Sequence, residues 1–259
     1  MATAGNERVV AAWLDALEAR QLRDLTFAEV RRALQALSSL YVERRRRIAS
    51  GAAFDGRGKR AAFALFYGPL HFLVVREVVR ALGAAHPAPS CIVDLGCGTG
   101  VGGAAWALEA GGVPRVEGVD QSGWTVTEAR WTLERLGLRG DVRRVGILRA
   151  PLPRRGEAAL AAYTLNELAA DTRDALLEPM LEAGRAGARV LVVEPIARGA
   201  APWWGRWRQA FLAAGGRDDD WRFRPALPEV VARLDRAARL DHGELTARSL
   251  YLGGPAAGA

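Results

Sequence analysis

Cysteine is scarce in this 259-residue chain. Cys91 and Cys97, separated by five residues, are the only two. That excludes a disulfide framework and a cysteine metal site and fits a reducing, cytoplasmic setting. Lysine is scarcer still, with Lys59 standing alone, so nearly all positive charge is arginine. Alanine, glycine and proline are used heavily, and the net charge of +7 reads as the bias of a GC-rich coding sequence as much as a selected basic surface. No apolar run approaches the roughly 20 residues of a membrane span. The start, Met1-Ala-Thr-Ala-Gly-Asn-Glu-Arg8, lacks the basic-then-apolar pattern of a secretory signal, and no membrane partner is expected. No internal repeat is present.

What is there suffices for one α/β domain with an appended helical piece: half of the chain is apolar and a quarter charged. Residues 1–60 carry twelve basic and seven acidic side chains, whereas residues 91–200 carry thirteen and fourteen. Any basic field is therefore expected to come mostly from the N-terminal region. There, residues 6–20 place Val9, Val10, Trp13, Leu14 and Leu17 on one helical face. Thr26-Phe-Ala-Glu29 has the form of a capping box, opening a helix expected to run to about Ile48. Arg44-Arg-Arg-Arg47 at its end is either a solvated helix terminus that complements the dipole or a phosphate-contacting patch. A third helical stretch, Lys59 to Leu82, is expected to kink or split at Pro69. Its Tyr67 and His71 read as aromatic core or as hydrogen-bonding groups turned toward a ligand. The linker His86-Pro-Ala-Pro-Ser90 sets the expected boundary between a helical cap (1–88) and a second domain (89–259).

The second domain opens on Ser90-Cys-Ile-Val-Asp-Leu-Gly-Cys-Gly-Thr-Gly-Val-Gly-Gly103. An apolar strand runs into a glycine turn and then into a helix N-terminus, whose free N–H groups make a ligand-binding edge. G-x-G-x-x-G can be laid on Gly98, Gly100 and Gly103, so a dinucleotide has to be weighed. Asp94, two residues before Gly96, argues against it, because a carboxylate there repels a pyrophosphate. A cationic ligand without phosphate is favoured instead. Arg115-Val-Glu-Gly-Val-Asp120 reads as the next strand, ending in a carboxylate suited to two ribose hydroxyls.

Val-Asp-Leu-Gly-Cys-Gly-Thr-Gly together with Gly-Val-Asp-Gln-Ser resembles the class I S-adenosylmethionine (SAM)-dependent methyltransferases. The resemblance implies an α/β, Rossmann-like fold: a seven-stranded, mostly parallel sheet with helices on both faces, here with an N-terminal helical cap. It implies SAM as cofactor, held by Asp94, Gly96, Cys97, Gly98, Gly100, Asp120 and Gln121. Many members carry an acidic residue after the third strand to read adenine. This chain has Leu148-Arg149 there, leaving Ile147 and Leu148 to supply apolar contact and backbone hydrogen bonds. Tyr67 is placed at the methionine end.

Strands are expected at Asp141–Ile147, in the first half of Glu157–Leu168, at Ala188–Pro195 and at Leu245–Leu252. Ser122 and Asp171 or Thr172 should cap the intervening helices. Ligands in parallel sheets lie beyond the carboxyl ends of the strands, which singles out Tyr163, Asn166 and Glu167, with Tyr163 and Asn166 as catalytic candidates. The Asn/Asp-Pro-Pro-aromatic mark of base-amine methylation is absent, as is a cysteine near the fourth strand for carbon-5 pyrimidine chemistry. His71 and His242 leave a histidine base open. Pro202-Trp-Trp-Gly-Arg-Trp-Arg208 either packs its aromatics on the sheet or stacks on nucleic-acid bases.

A narrower resemblance covers roughly residues 30–200. Ala33–Tyr41, Tyr67-Gly-Pro69, Tyr163-Thr-Leu-Asn-Glu-Leu168 and Val192-Val-Glu-Pro-Ile-Ala-Arg198 look like the methyltransferase-like family associated with the small subunit of mitochondrial ribosomes and its bacterial relatives. It implies ribosomal RNA or a ribosome-associated component as partner. Some members hold an iron–sulfur cluster through extra cysteines, which this chain lacks. Two alternatives stand beside it: methylation of a small molecule or peptide under a helical lid, and a non-catalytic SAM-binding assembly factor.

Overall fold

The computed structural model describes residues 2–43, 56–196 and 201–253. The Arg44–Arg47 cluster and the run past Ile196 to Arg198 lie outside the described residues. The chain forms two compact units, Met1–Leu73 with Arg224–Leu245, and Val74–Phe223 with Thr246–Ala259. The sequence boundary at residue 88 is thus drawn differently in space. The helical unit takes in a late segment, and the division falls inside a helix rather than at the proline linker.

In the helical unit, α1 (Ala2–Gln21) buries Trp13 and Leu17, and α2 (Phe27–Glu43) buries Val30, Leu34 and Leu37. Val9 is 37% exposed, so the α1 stripe is narrower than its spacing suggests. The capping box forms: Glu29 accepts from the Thr26 N–H at 2.8 Å, and Thr26 Oγ1 from the Glu29 N–H at 3.3 Å. The third stretch is one continuous helix rather than two: α3 (Arg57–Ala62), a π-helical segment Phe63–Tyr67, and α4 (Gly68–Ala81). Within it the Gly68 N–H reaches back five residues to the Phe63 carbonyl. This wider register absorbs Pro69, which has no N–H to give, without breaking the rod. By length and composition Arg57–Ala81 would also pass for a membrane span, contrary to the sequence expectation, but 78% of its apolar window is buried inside the protein. The late helix (Glu229–Ala238, α9 below) packs on α2 and the π segment. Its apolar stripe Val230, Val231, Leu234 and Ala238 is buried, and Arg233 pairs with Glu18 at 3.1 Å.

The second unit is built on a seven-stranded sheet of order β3-β2-β1-β4-β5-β7-β6. Its elements are β1 (Cys91–Leu95), α5 (Val101–Glu109), β2 (Arg115–Asp120), α6 (Gly123–Arg135), β3 (Gly140–Arg144), β4 (Ala158–Ala162), α7 (Ala170–Arg185), β5 (Arg189–Glu194), α8 (Trp204–Ala213), β6 (Arg217–Phe223) and β7 (Leu245–Leu252), with α9 between the last two strands. β1 to β5 pair in parallel, and β7 runs antiparallel to β5. α5 and α6 pack on one face. On the other, Val93, Leu95, Val119, Ala159, Ala161, Val190 and Val192 share a core with Leu176, Leu177, Met180 and Leu181 of α7 and Trp204, Trp207 and Phe211 of α8. This is the expected α/β, Rossmann-like architecture.

Three details depart from the sequence reading. β6 was not anticipated, because Arg217-Asp-Asp-Asp-Trp-Arg-Phe has neither the alternation nor the composition of a strand. It forms at the sheet edge, where charged side chains are tolerated, with Trp221 donating to Ser249 Oγ at 2.8 Å. β3 stops at Arg144, and no α-helix connects it to β4, only a 3-10 turn at Ile147–Arg149 and irregular chain. α7 begins at Ala170 with no side-chain cap; Asp171 lies in its first turn instead, where its charge complements the dipole.

Candidate active site

The glycine turn takes its shape from close packing. Gly96, at φ 67°, faces Thr164 so closely that an added Cβ would sit 2.8 Å from Oγ1 and run into the methyl group. The Thr164 hydroxyl lies 3.1 Å from both the Gly96 and Ala162 carbonyls, tying the turn to the end of β4. At Gly100, φ 79°, a Cβ would come within 3.0 Å of the Ala129 backbone in α6. Gly98, between them, is open, with nothing within 4 Å of an added Cβ. The turn's exposed edge is therefore at Gly98. Next to it, the Thr99 hydroxyl is buried without a hydrogen-bond partner, and such a group calls for a ligand or water.

Two carboxylates hold this turn. Asp94 is 2% exposed, and its Oδ2 accepts the Gly103 N–H at 2.8 Å. It thus serves the N-terminus of α5 directly, and burial, with help from Asp120, raises its pKa to about 7. Asp120 closes β2. Its Oδ2 accepts the Gly98 N–H at 3.0 Å, while Oδ1 accepts the Ser122 N–H at 2.8 Å and the Thr125 hydroxyl at 2.7 Å. Of roughly four lone-pair positions on a carboxylate, three are filled from within the protein. There is room for one further donor, so the expected grip on two ribose hydroxyls reduces to one.

Other cofactor candidates divide by what their side chains do. The Cys97 thiol is buried against Gly118, where an added Cβ would lie 2.9 Å from Sγ, and burial pushes its pKa well up. Its backbone alone borders the turn. Ile147 is 6% exposed and belongs to the core, so it offers no apolar side-chain contact to a ligand, whereas Leu148 is 54% exposed. Gln121 is exposed, and its amide nitrogen lies near Gly146. Tyr67 belongs to the helical unit, half-buried against Phe63, Phe66 and His71. His71 is half-buried, and the protein packed around it lowers its pKa to about 3.

Beyond β4 the chain turns sharply. Tyr163 has φ 57°, a left-handed conformation costly for a bulky residue, of the kind that concentrates at functional sites. Its N–H bonds the Val193 carbonyl at 2.8 Å. Burial, together with the charge of Glu194, raises its phenol pKa, so Tyr163 keeps its O–H near neutrality and serves as a hydrogen-bond donor. Asn166 is committed to the framework. Its Nδ2 donates to Glu194 Oε2 at 2.8 Å, its N–H donates to Oε1 at 3.2 Å, and its Oδ1 accepts from Trp203 Nε1 at 2.9 Å. The expected catalytic Asn166 is therefore better described as a positioning residue.

Glu194, fully buried at the end of β5, is given no site role by the sequence, where it stands within a strand and within the narrower resemblance. Its signal was a carboxylate closing an apolar run. Burial raises its pKa to about 8, and Glu167 adds to the rise. Glu167 is exposed to solvent but crowded by protein, and desolvation followed by the charge of Asp120 lifts its pKa to about 7. Asp94, Asp120, Glu167 and Glu194 thus converge on one end of the sheet, each within electrostatic reach of another. Among the described residues, no group of three or more histidine, cysteine or acidic side chains could hold a metal ion.

The Trp/Arg helix α8 resolves toward packing. Trp203, Trp204, Trp207 and Phe211 are all at most 8% exposed, while Arg206 pairs with Asp174 and Arg208 with Asp218. Its aromatics are not available for base stacking.

No protein-family model matches this chain, and no curated protein does. Solved structures do. A plantazolicin methyltransferase in complex with a triazolic substrate analogue and S-adenosylhomocysteine superposes at a TM-score of 0.50, with 11% identity, over 88% of this chain and 98% of that one. Magnesium protoporphyrin IX methyltransferase from Synechocystis, with bound SAM, aligns at 0.49 and 17% identity over 71% and 80%. At 11% identity the likeness to the plantazolicin methyltransferase concerns the fold alone.

Proposed function

We propose that this chain is a SAM-dependent methyltransferase. The observation that carries the reading is the convergence of four carboxylates on the strand ends around an open glycine turn. In its ionised form such a site repels a pyrophosphate and attracts a ligand with ammonium and sulfonium charge. The antiparallel β7, absent from the dinucleotide-binding strand order, points the same way.

The residues fit the cofactor. The buried, unpartnered Thr99 hydroxyl and the open side of Gly98 supply polar contact at the turn. The remaining lone pair of Asp120 takes one ribose hydroxyl, Gln121 takes the other, and exposed Leu148 covers the adenine. Bound there, SAM supplies an electrophilic methyl group. The protein's own part is alignment and proton removal. Glu167, accessible and with a pKa of about 7, accepts the acceptor's proton. Protonated Tyr163 donates a hydrogen bond, and Asn166 with Trp203 fixes the loop that carries Glu167.

For the acceptor, the first reading is ribosomal RNA or a ribosome-associated component in the cytoplasm. It is supported by the sequence resemblance and by two free cysteines. Calorimetric titration with SAM, and with NAD and FAD as controls, tests the cofactor. One SAM bound per chain is expected, and binding of NAD or FAD in its place would overturn the reading. Turnover on ribosomal RNA then separates an enzyme from a non-catalytic SAM-binding factor.

A further inference from the structure

The near-neutral sum over residues 91–200 conceals a segregation of charge. Between residues 135 and 155 the sequence has seven arginines and one acidic residue, Asp141. All seven arginines are exposed. Elsewhere arginines are held by carboxylates, as in Arg80–Glu109, Arg217–Asp219 and Arg224–Glu244. Here Arg143, Arg149, Arg154 and Arg155 form no ion pair among the described residues.

The fold explains why this surface is open. Parallel sheets are normally covered by helices on both faces, but no α-helix connects β3 to β4. The face of β2 and β3 opposite α6 is only partly covered: Val119 is buried in the core, Glu117 is half-buried, and Asp141 and Arg143, which register beside Glu117 and Val119, are exposed. The irregular β3–β4 connection crosses this face, forming a groove of about 350 Å³ lined by Arg115, Glu117, Asp141, Arg143 and Pro151. Exposed Leu148 and Leu152 lie along the same connection.

We propose that the β3 edge and this groove form a docking surface for single-stranded RNA. Unpaired arginines along a strand and the loop beside it suit a phosphate backbone, which dominates nucleic-acid affinity. Glu117, paired with Arg115 at 3.4 Å, and Asp141, paired with Arg130 at 3.4 Å, keep further lone pairs that accept hydrogen bonds from the amino groups of an unpaired base. A plane of anionic headgroups offers these acids no amino donor whereas an unpaired base does, which makes RNA the better complement. The inference deepens the acceptor reading above, but its failure is separable because RNA binding is measured without SAM.

The test is fluorescence anisotropy of a labelled 20-nucleotide single-stranded RNA at increasing KCl, using the full chain. The R143E/R154E double variant is expected to bind about tenfold or more weakly, with a log–log salt slope smaller by about 1.4, or ~0.7 per lost phosphate contact. R8E/R23E, which makes the same charge change on exposed side chains of the helical unit, should stay within about threefold of the parent. Equal losses in both variants, or no salt-sensitive RNA binding by the parent, would overturn the proposal. So would loss of binding to phosphatidylglycerol vesicles in R143E/R154E with RNA binding intact. Unchanged thermal unfolding and SAM calorimetry in both variants confirm that only the surface was altered.

Discussion

One sheet carries two opposite electrostatic regions. Its carboxyl edge gathers Asp94, Asp120, Glu167 and Glu194, whereas its β3 side presents arginines with few partners. The acidic region is tightly packed. Asp94, Asp120 and Glu194 accept backbone N–H groups, and burial raises the pKa values of Asp94, Glu167 and Glu194. The basic region is solvated, and its side chains hang from a strand edge and an irregular loop. On the proposed reading the contrast separates two kinds of recognition: a preorganised pocket edge for one small cation, and a tolerant surface for a long anion.

The largest expected effect lies where packing is tightest. Gly96→Ala adds a Cβ against Thr164 and forces alanine into a left-handed conformation, so it should cost about 3 kcal/mol of stability. Thr164→Ala in the same chain should recover about half, measured by urea unfolding. Arg143→Ala, on the open side, should stay within about 0.5 kcal/mol. A similar cost for both would erase the contrast.

Next, Asp120→Asn should weaken SAM binding by about 30-fold, on the order of 2 kcal/mol, while leaving RNA affinity unchanged. Calorimetry and anisotropy read the two arms, and a matching loss in both would merge the regions into one. Asn166→Ala leaves buried Glu194 short of donors and should cost about 1–3 kcal/mol in unfolding free energy.

The smallest effects are pH-dependent. Asp94, Glu167 and Glu194 have folded-state pKa values above their unfolded ones, near 7, 7 and 8. Their stabilising contribution is therefore fully present below about pH 4 and is lost as pH rises through 7 to 8. The midpoint of thermal unfolding without ligand should fall by roughly 5 °C between pH 5 and 8.5, and by less in Glu194→Gln. A cation binds the ionised forms, so SAM affinity should rise over the same window with proton release, seen as buffer-dependent calorimetric enthalpies. Affinity falling with pH would show that these carboxylates do not face the cofactor's charge.

Much of the sheet was legible because parallel strands buried on both faces read as apolar runs, and β1, β4 and β5 fall where those runs lie. The glycine turn was legible because it demands Gly96, Gly98 and Gly100 in one register with Asp94 and Asp120. β6 was hidden because an edge strand answers to its neighbour β7 and not to its own composition. The division of labour within the site was hidden too. A sequence names Ile147 and Leu148 alike, but only packing sends one into the core and the other to solvent. Likewise the amide of Asn166 is spent on Glu194 and Trp203, partners 28 and 37 residues away.

The sequence by itself determined the strand–glycine–helix unit, the carboxylates that bracket it and the capping box at Thr26, because each depends on residues close together in the chain. Tertiary structure alone decided that residues 224–245 join the N-terminal helices and that Glu194 is held neutral near pH 7. It also decided that the β3 side of the sheet is left without a connecting helix. These depend on which distant segments exclude water from which groups, and local sequence does not encode that.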